Sequence, residues 1–81
     1  MNPKMPTEYN ILETMRDYYQ ADINKHAMAI EIMLKNPMAF HDHDAFYEAI
    51  ESQLRQLMES KDYIDGLDIV KQIMEDNDED V

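Results

Sequence analysis

An all-α fold, two long antiparallel helices forming a helical hairpin, is what this sequence predicts, and three observations predict it. Glycine occurs once and proline only at positions 3, 6 and 37, while good helix formers such as Met, Leu, Ala, Glu, Gln and Lys are common. Apolar side chains recur at spacings of three and four through two long segments. Between those segments lies a single strong break, Asn36-Pro37-Met38-Ala39-Phe40-His41-Asp42-His43-Asp44.

The first helix is expected over about residues 7–35. Thr7 supplies a side-chain oxygen for the free N–H groups of the first turn, and Glu8 suits the positive helix end. Its stripe runs Leu12, Met15, Tyr19, Ile23, His26, Ile30 and Met33, widened by Ile11, Tyr18, Ala27 and Leu34. Pro37 disfavours helical geometry at Asn36 and so ends the helix. Such a helix is roughly 44 Å long at 1.5 Å per residue. The corner is placed at residues 36–43, with Asp42 or Asp44 capping the second helix. That helix is expected over about residues 44–75 on a stripe of Phe46, Ile50, Leu54, Leu57, Ile64 and Leu67, continued by Val70 and Met74. The stripe thins at Ser60-Lys61-Asp62, and Gly66 weakens a helix interior, so a kink or break belongs between residues 60 and 66 if anywhere. Residues 77–81 read as a frayed acidic tail beyond a single domain of residues 1–76.

A chain of 81 residues has a poor surface-to-volume ratio for one core, and with no cysteine no disulfide staples it. The two stripes can cover each other, yet Tyr9, Tyr18, Met28, Ile32, Tyr47, Met58, Tyr63 and Ile69 are left over. Leftover apolar surface marks association, and a symmetric dimer forming a four-helix bundle is the economical solution, with docking onto another protein as the alternative. The residues expected to carry the helix–helix seam and the interaction are Met15, Tyr19, Ile23, Ile30, Ile50, Leu54 and Leu57. Eight methionines and five tyrosines near the stripes suit either core filling or an adaptable binding face.

The net charge of −11 is uneven: residues 1–20 carry −1, 21–37 none, 38–60 −4 and 61–81 −6. Direct nucleic-acid binding is excluded by the absence of clustered Lys and Arg. An acidic face made of Glu48, Glu51, Glu59, Asp62, Asp65 and Asp68 instead suits a basic partner, including a nucleic-acid-binding protein that such a face would block by imitating DNA. No apolar run approaches the roughly 18 residues of a membrane span, and the N-terminus lacks a signal-peptide core, so a cytoplasmic protein is expected.

Candidate chemistry is sparse. His41 and His43, with neighbouring carboxylates, are the right ligand types for zinc, but a third ligand must come from elsewhere, and His26 lies some 15 Å back along the first helix. Capping by Asp42 and Asp44 accounts for the same cluster without a metal. His26 sits on the apolar stripe, where a hydrogen-bonded place at the core edge competes with a pH-sensing role that needs a carboxylate on the second helix. No cysteine nucleophile and no Gly-rich phosphate loop exist, and Ser52 and Ser60 have no local base. No cofactor is implied, and a non-enzymatic protein is expected.

From about His26 to Leu67 the chain resembles a group of small uncharacterised helical-hairpin proteins of tailed bacteriophages. The resemblance rests on His26, Ile30, Leu34, Asn36, Pro37, His43, Asp44, Ala49, Ile50, Leu54 and Leu67, around the stretch NPMAFHDHDAFYEAI. Where that group carries two corner glycines, this chain has Ala39 and His41. The resemblance implies a phage accessory or structural protein, found in the host cytoplasm or the virion, and carries no known activity or catalytic residue.

Overall fold

The computed structural model describes residues 7–40 and 42–79, and within them the chain is a helical hairpin. Helix α1 spans Glu8–Lys35, a short 3₁₀ turn spans Pro37–Ala39, and helix α2 spans His43–Glu79. Thr7 caps α1, its Oγ1 accepting from the Asn10 N–H at 3.1 Å. At the other end the Asn36 N–H donates to the Met33 carbonyl at 3.1 Å, and its side chain donates to the Ile32 carbonyl at 2.9 Å, which closes the last turn. Asp42, not Asp44, caps α2: its Oδ1 accepts from the Ala45 N–H at 2.7 Å, while Asp44 sits in the first turn. No described residue has positive φ, so Ala39 occupies the 3₁₀ turn without needing glycine's freedom. Phe40, outside both expected stripes, lies 5.1 Å from Phe46 between ring centroids.

The second helix is continuous, as its expected span of residues 44–75 implies, and one boundary shifts. There is no break between residues 60 and 66, because Gly66 sits in helical conformation inside an unbroken 37-residue helix. The thinned stripe at residues 60–62 is bridged by seam contacts of Ser60 and by the Lys61–Asp65 ion pair at 3.1 Å. The helix also runs on to Glu79 rather than ending near residue 75, since extending a formed helix adds one backbone bond per residue ordered. Of the expected tail, residues 80 and 81 lie outside the described residues, as do residues 1–6 of the expected domain.

The helices run antiparallel along their whole shared length. Four cross-helix pairs fix the alignment: Arg16 with Asp68, Tyr19 with Tyr63, Asp22 with Ser60, and His26 with Gln53. The seam follows a strict seven-residue repeat, with Leu12, Tyr19, His26 and Met33 on one line of α1 and Arg16, Ile23 and Ile30 beside it. On α2 the lines are Phe46, Gln53, Ser60, Leu67 and Met74, and Ile50, Leu57 and Ile64. Two expected seam residues therefore stand outside it: Met15 is 41% exposed and Leu54 47%. Arg16 and Gln53 hold the positions that apolar counting assigned to them, because each finds a polar partner on the other helix.

The result is a thin rod of 60 × 26 × 14 Å. Among the described residues only one apolar side chain, Ile64, is buried, and none is fully enclosed. Among the described residues no helix is long and apolar enough to cross a membrane.

Candidate protein-interaction site

Two features stand out on this rod: a polar layer across its middle and an unequal pair of broad faces. The layer is built from i, i+4 neighbours on α1 and i, i+7 neighbours on α2, which the seven-residue repeat brings to one level. His26 is 5% exposed and Ser60 6%. The His26 Nδ1 lies 2.6 Å from Gln53 Oε1. Its Nε2 lies 3.4 Å from Asp22 Oδ2, and the same oxygen accepts from the Ser60 hydroxyl at 2.6 Å. The Ser60 hydroxyl holds the Asp22 carboxyl below its ordinary value of 3.8, helped by His26 and Lys25 and opposed by desolvation. Among the described residues no buried side-chain nitrogen or oxygen lacks a partner.

Sequence reading left Asp22, Gln53 and Ser60 without a role and gave Ser60 no base. The structure brings Ser60, Asp22 and His26 together, but in an order that does not activate a nucleophile. In a hydrolytic triad the imidazole lies between serine and carboxylate and takes the serine proton. Here the carboxylate lies between, and its proton affinity is lowered, so the hydroxyl is fastened rather than made reactive. The layer is a crosspiece that ties the helices in one alignment, the use best attested for polar groups in helical seams.

Beside it, a shallow groove of about 240 Å³ opens on one face, lined by Tyr18, Asp22 and Lys25 from α1 and by Gln56, Glu59 and Tyr63 from α2. These residues show which side of α1 adjoins which side of α2. Followed along the helices in steps of three and four, that face carries Ile11, Met15, Tyr18, Ala29 and Ile32 on α1, and Ala45, Ala49, Tyr63, Gly66, Val70 and Ile73 on α2. Its charged residues are Glu8 at the end and Asp22, Lys25 and Glu59 near mid-height. Much of its apolar surface is open: Tyr18 is 71% exposed, Ile32 60% and Ile73 55%.

The other face opens on a second groove lined by Tyr9, Leu12, Glu13, Arg16, Leu67, Asp68 and Lys71. The same steps place Glu13, Asp17, Glu31, Asp44, Glu51, Asp65, Asp68 and Glu75 on it, with Lys61, and with Leu34, Tyr47, Leu54 and Met58 toward the corner.

The residues expected to form the interaction are thus divided. Tyr19, Ile23, Ile30, Ile50 and Leu57 belong to the intrachain seam, Tyr19 stacking on Tyr63 at 4.9 Å between centroids. Met15 lies on the apolar face and Leu54 on the acidic one. The six carboxylates expected as one acidic face are dispersed: Glu59 borders the apolar groove, and Glu48 and Asp62 point along the outer edge of α2. Glu51, Asp65 and Asp68 pair with Arg55 at 3.3 Å, Lys61 at 3.1 Å and Arg16 at 3.1 Å. At the corner His43 meets the edge of Tyr47, and His41 lies outside the described residues. Among the described residues no group of three or more His, Asp or Glu side chains is arranged to hold a metal ion.

The chain matches no protein-family model, and comparison with curated proteins and with solved structures finds no significant match. The reading of function therefore rests on the surface itself.

Proposed function

We propose that this protein is a non-enzymatic interaction module that associates with itself, two hairpins making a four-helix bundle. The observation that carries this reading is the missing interior. The chain of 9.6 kDa exposes 6691 Å², where a compact monomer of that mass exposes about 5,100 Å². A thin two-helix rod, with little interior of its own, is one source of that surplus of roughly 1,600 Å². A single buried apolar residue among those described provides little of the hydrophobic burial that offsets chain entropy, and pairing two rods would supply more. Together with the corner resemblance, this supports a small structural or accessory role in a phage. An acidic inhibitor of a nucleic-acid-binding protein draws less support, because three of its six expected carboxylates are already in ion pairs within the chain.

Light scattering on a size-exclusion column over a concentration series tests the reading. A mass of twice the chain, dissociating only at low concentration, is expected. A monomer at every concentration would overturn self-association and redirect the search to a different protein partner.

A further inference from the structure

We propose, resting on that self-association, that a second copy of this chain covers the face bearing Tyr18 and Gly66. The two-fold axis runs along the length of the hairpin, so that α1 of each copy lies against α2 of the other. Three independent observations select this face and this operator.

The first is area. The surplus surface of roughly 1,600 Å² exceeds the about 800 Å² that each partner gives to a standard interface. The Tyr18–Gly66 face can supply it while burying few charges, whereas the opposite face carries eight carboxylates, Glu13, Asp17, Glu31, Asp44, Glu51, Asp65, Asp68 and Glu75, against the cations Arg16, Lys61 and Lys71.

The second is charge. Lys25 and Glu59 stand on opposite rims of the central groove, at nearly the same height in the antiparallel alignment. Lys25 reaches only Asp22, at 3.9 Å, and Glu59 makes no ion pair among the described residues. A two-fold axis along the rod sets each Lys25 against the partner subunit's Glu59, twice over. An axis across the rod would place α1 on α1 and α2 on α2, with like charges facing near the middle. Only the first arrangement is complementary.

The third is shape. A Cβ built on Gly66 meets nothing within 4 Å, so nothing within the chain requires glycine there. On the other helix of the same face stands Tyr18, 71% exposed. Given the alignment fixed by Arg16–Asp68 and Tyr19–Tyr63, the lengthwise axis lays Tyr18 over the partner subunit's Gly66. The same axis brings Ile11 toward the partner subunit's Ile73. The glycine is a seat for a ring from the other chain.

The test uses light scattering and sedimentation on the full chain, with circular dichroism to follow folding. Lys25→Glu alone and Glu59→Lys alone should each raise the dimer dissociation constant at least about tenfold, because each sets like charges face to face. Mixing those two variants should restore a heterodimer to within about twofold of the natural affinity, since every contact across the axis is then between opposite charges. Gly66→Leu should keep or raise helicity while weakening the dimer. Two outcomes overturn this arrangement while leaving self-association standing: dimers in all of these variants, or a loss that mixing does not repair. A natural chain that is monomeric throughout overturns both.

Discussion

The two broad faces of the hairpin are built from the same two helices and the same repeat, yet they differ in kind. One is apolar over most of its length, with its mid-height charges confined to Asp22, Lys25 and Glu59. The other carries Glu13, Asp17, Glu31, Glu51, Asp65, Asp68 and Glu75 against Arg16, Lys61 and Lys71, with Tyr9, Leu12 and Leu67 lining its groove and further apolar residues toward the corner. A hairpin meant to stand alone would gain from being polar on both sides. The asymmetry means that each helix serves two surfaces, a narrow seam within the chain and a second strip on one flank. Under the proposed pairing, charge would keep the remaining flank in water and prevent stacking without limit.

Substitutions that strike the seam, one face or the other separate these roles. The largest effect is expected at the seam: Ile64→Ala removes the one apolar side chain buried among the described residues and should cost about 3 kcal/mol in urea unfolding. A cost under about 1 kcal/mol would mean that the seam is not the centre of stability. Next, Val70→Lys on the apolar face should weaken self-association at least about tenfold by burying a charge, while Leu54→Lys on the acidic face should change it less than about twofold. Equal effects, read by sedimentation, would erase the distinction between the faces.

A smaller effect concerns acid. The Asp22 carboxyl is held below 3.8 in the folded chain, chiefly by Ser60. Its contribution is therefore present above the unfolded value and is lost as pH falls through the lowered folded one. Ser60→Ala should bring Asp22 back toward 3.8 in a carbon-detected NMR titration and flatten the fall of stability below about pH 4. An unmoved Asp22 titration would show that the hydroxyl does not hold it. The smallest effect is expected at Arg16, whose pair with Asp68 is about half exposed on both sides. Arg16→Leu should leave the urea midpoint nearly unchanged, because an exposed ion pair is exchanged for a little apolar contact; a large shift would mean that this pair anchors the seam.

The hairpin was legible because Pro37 and the caps at Thr7 and Asp42 act locally, and local rules need no knowledge of the partner helix. The seam was only half legible. Counting apolar residues drew the stripe through Met15 and Leu54, whereas packing chose Arg16 and Gln53 one residue away. The discriminating signal was present as the seven-residue spacing of Phe46, Gln53, Ser60, Leu67 and Met74, which keeps its rhythm through two polar members. The polar layer could not be read at all, since Ser60 and Asp22 are 38 residues apart and meet only once the alignment is known. Length and hydropathy likewise gave no warning that α2 would continue to Glu79.

A seven-residue repeat is by itself a ratchet with many teeth: slide one helix past the other by seven positions and apolar meets apolar again. The crosspiece at His26 removes that freedom. One notch along, Asp22 would face Leu67 instead of Ser60, and a carboxylate would lose its donor against an apolar side chain. The molecule therefore carries its own ruler in the middle of the rod, far from the turn. The corner is thereby relieved of measuring duty, and the number of residues between Asn36 and Asp42 becomes a parameter that can drift while the two helices keep their places.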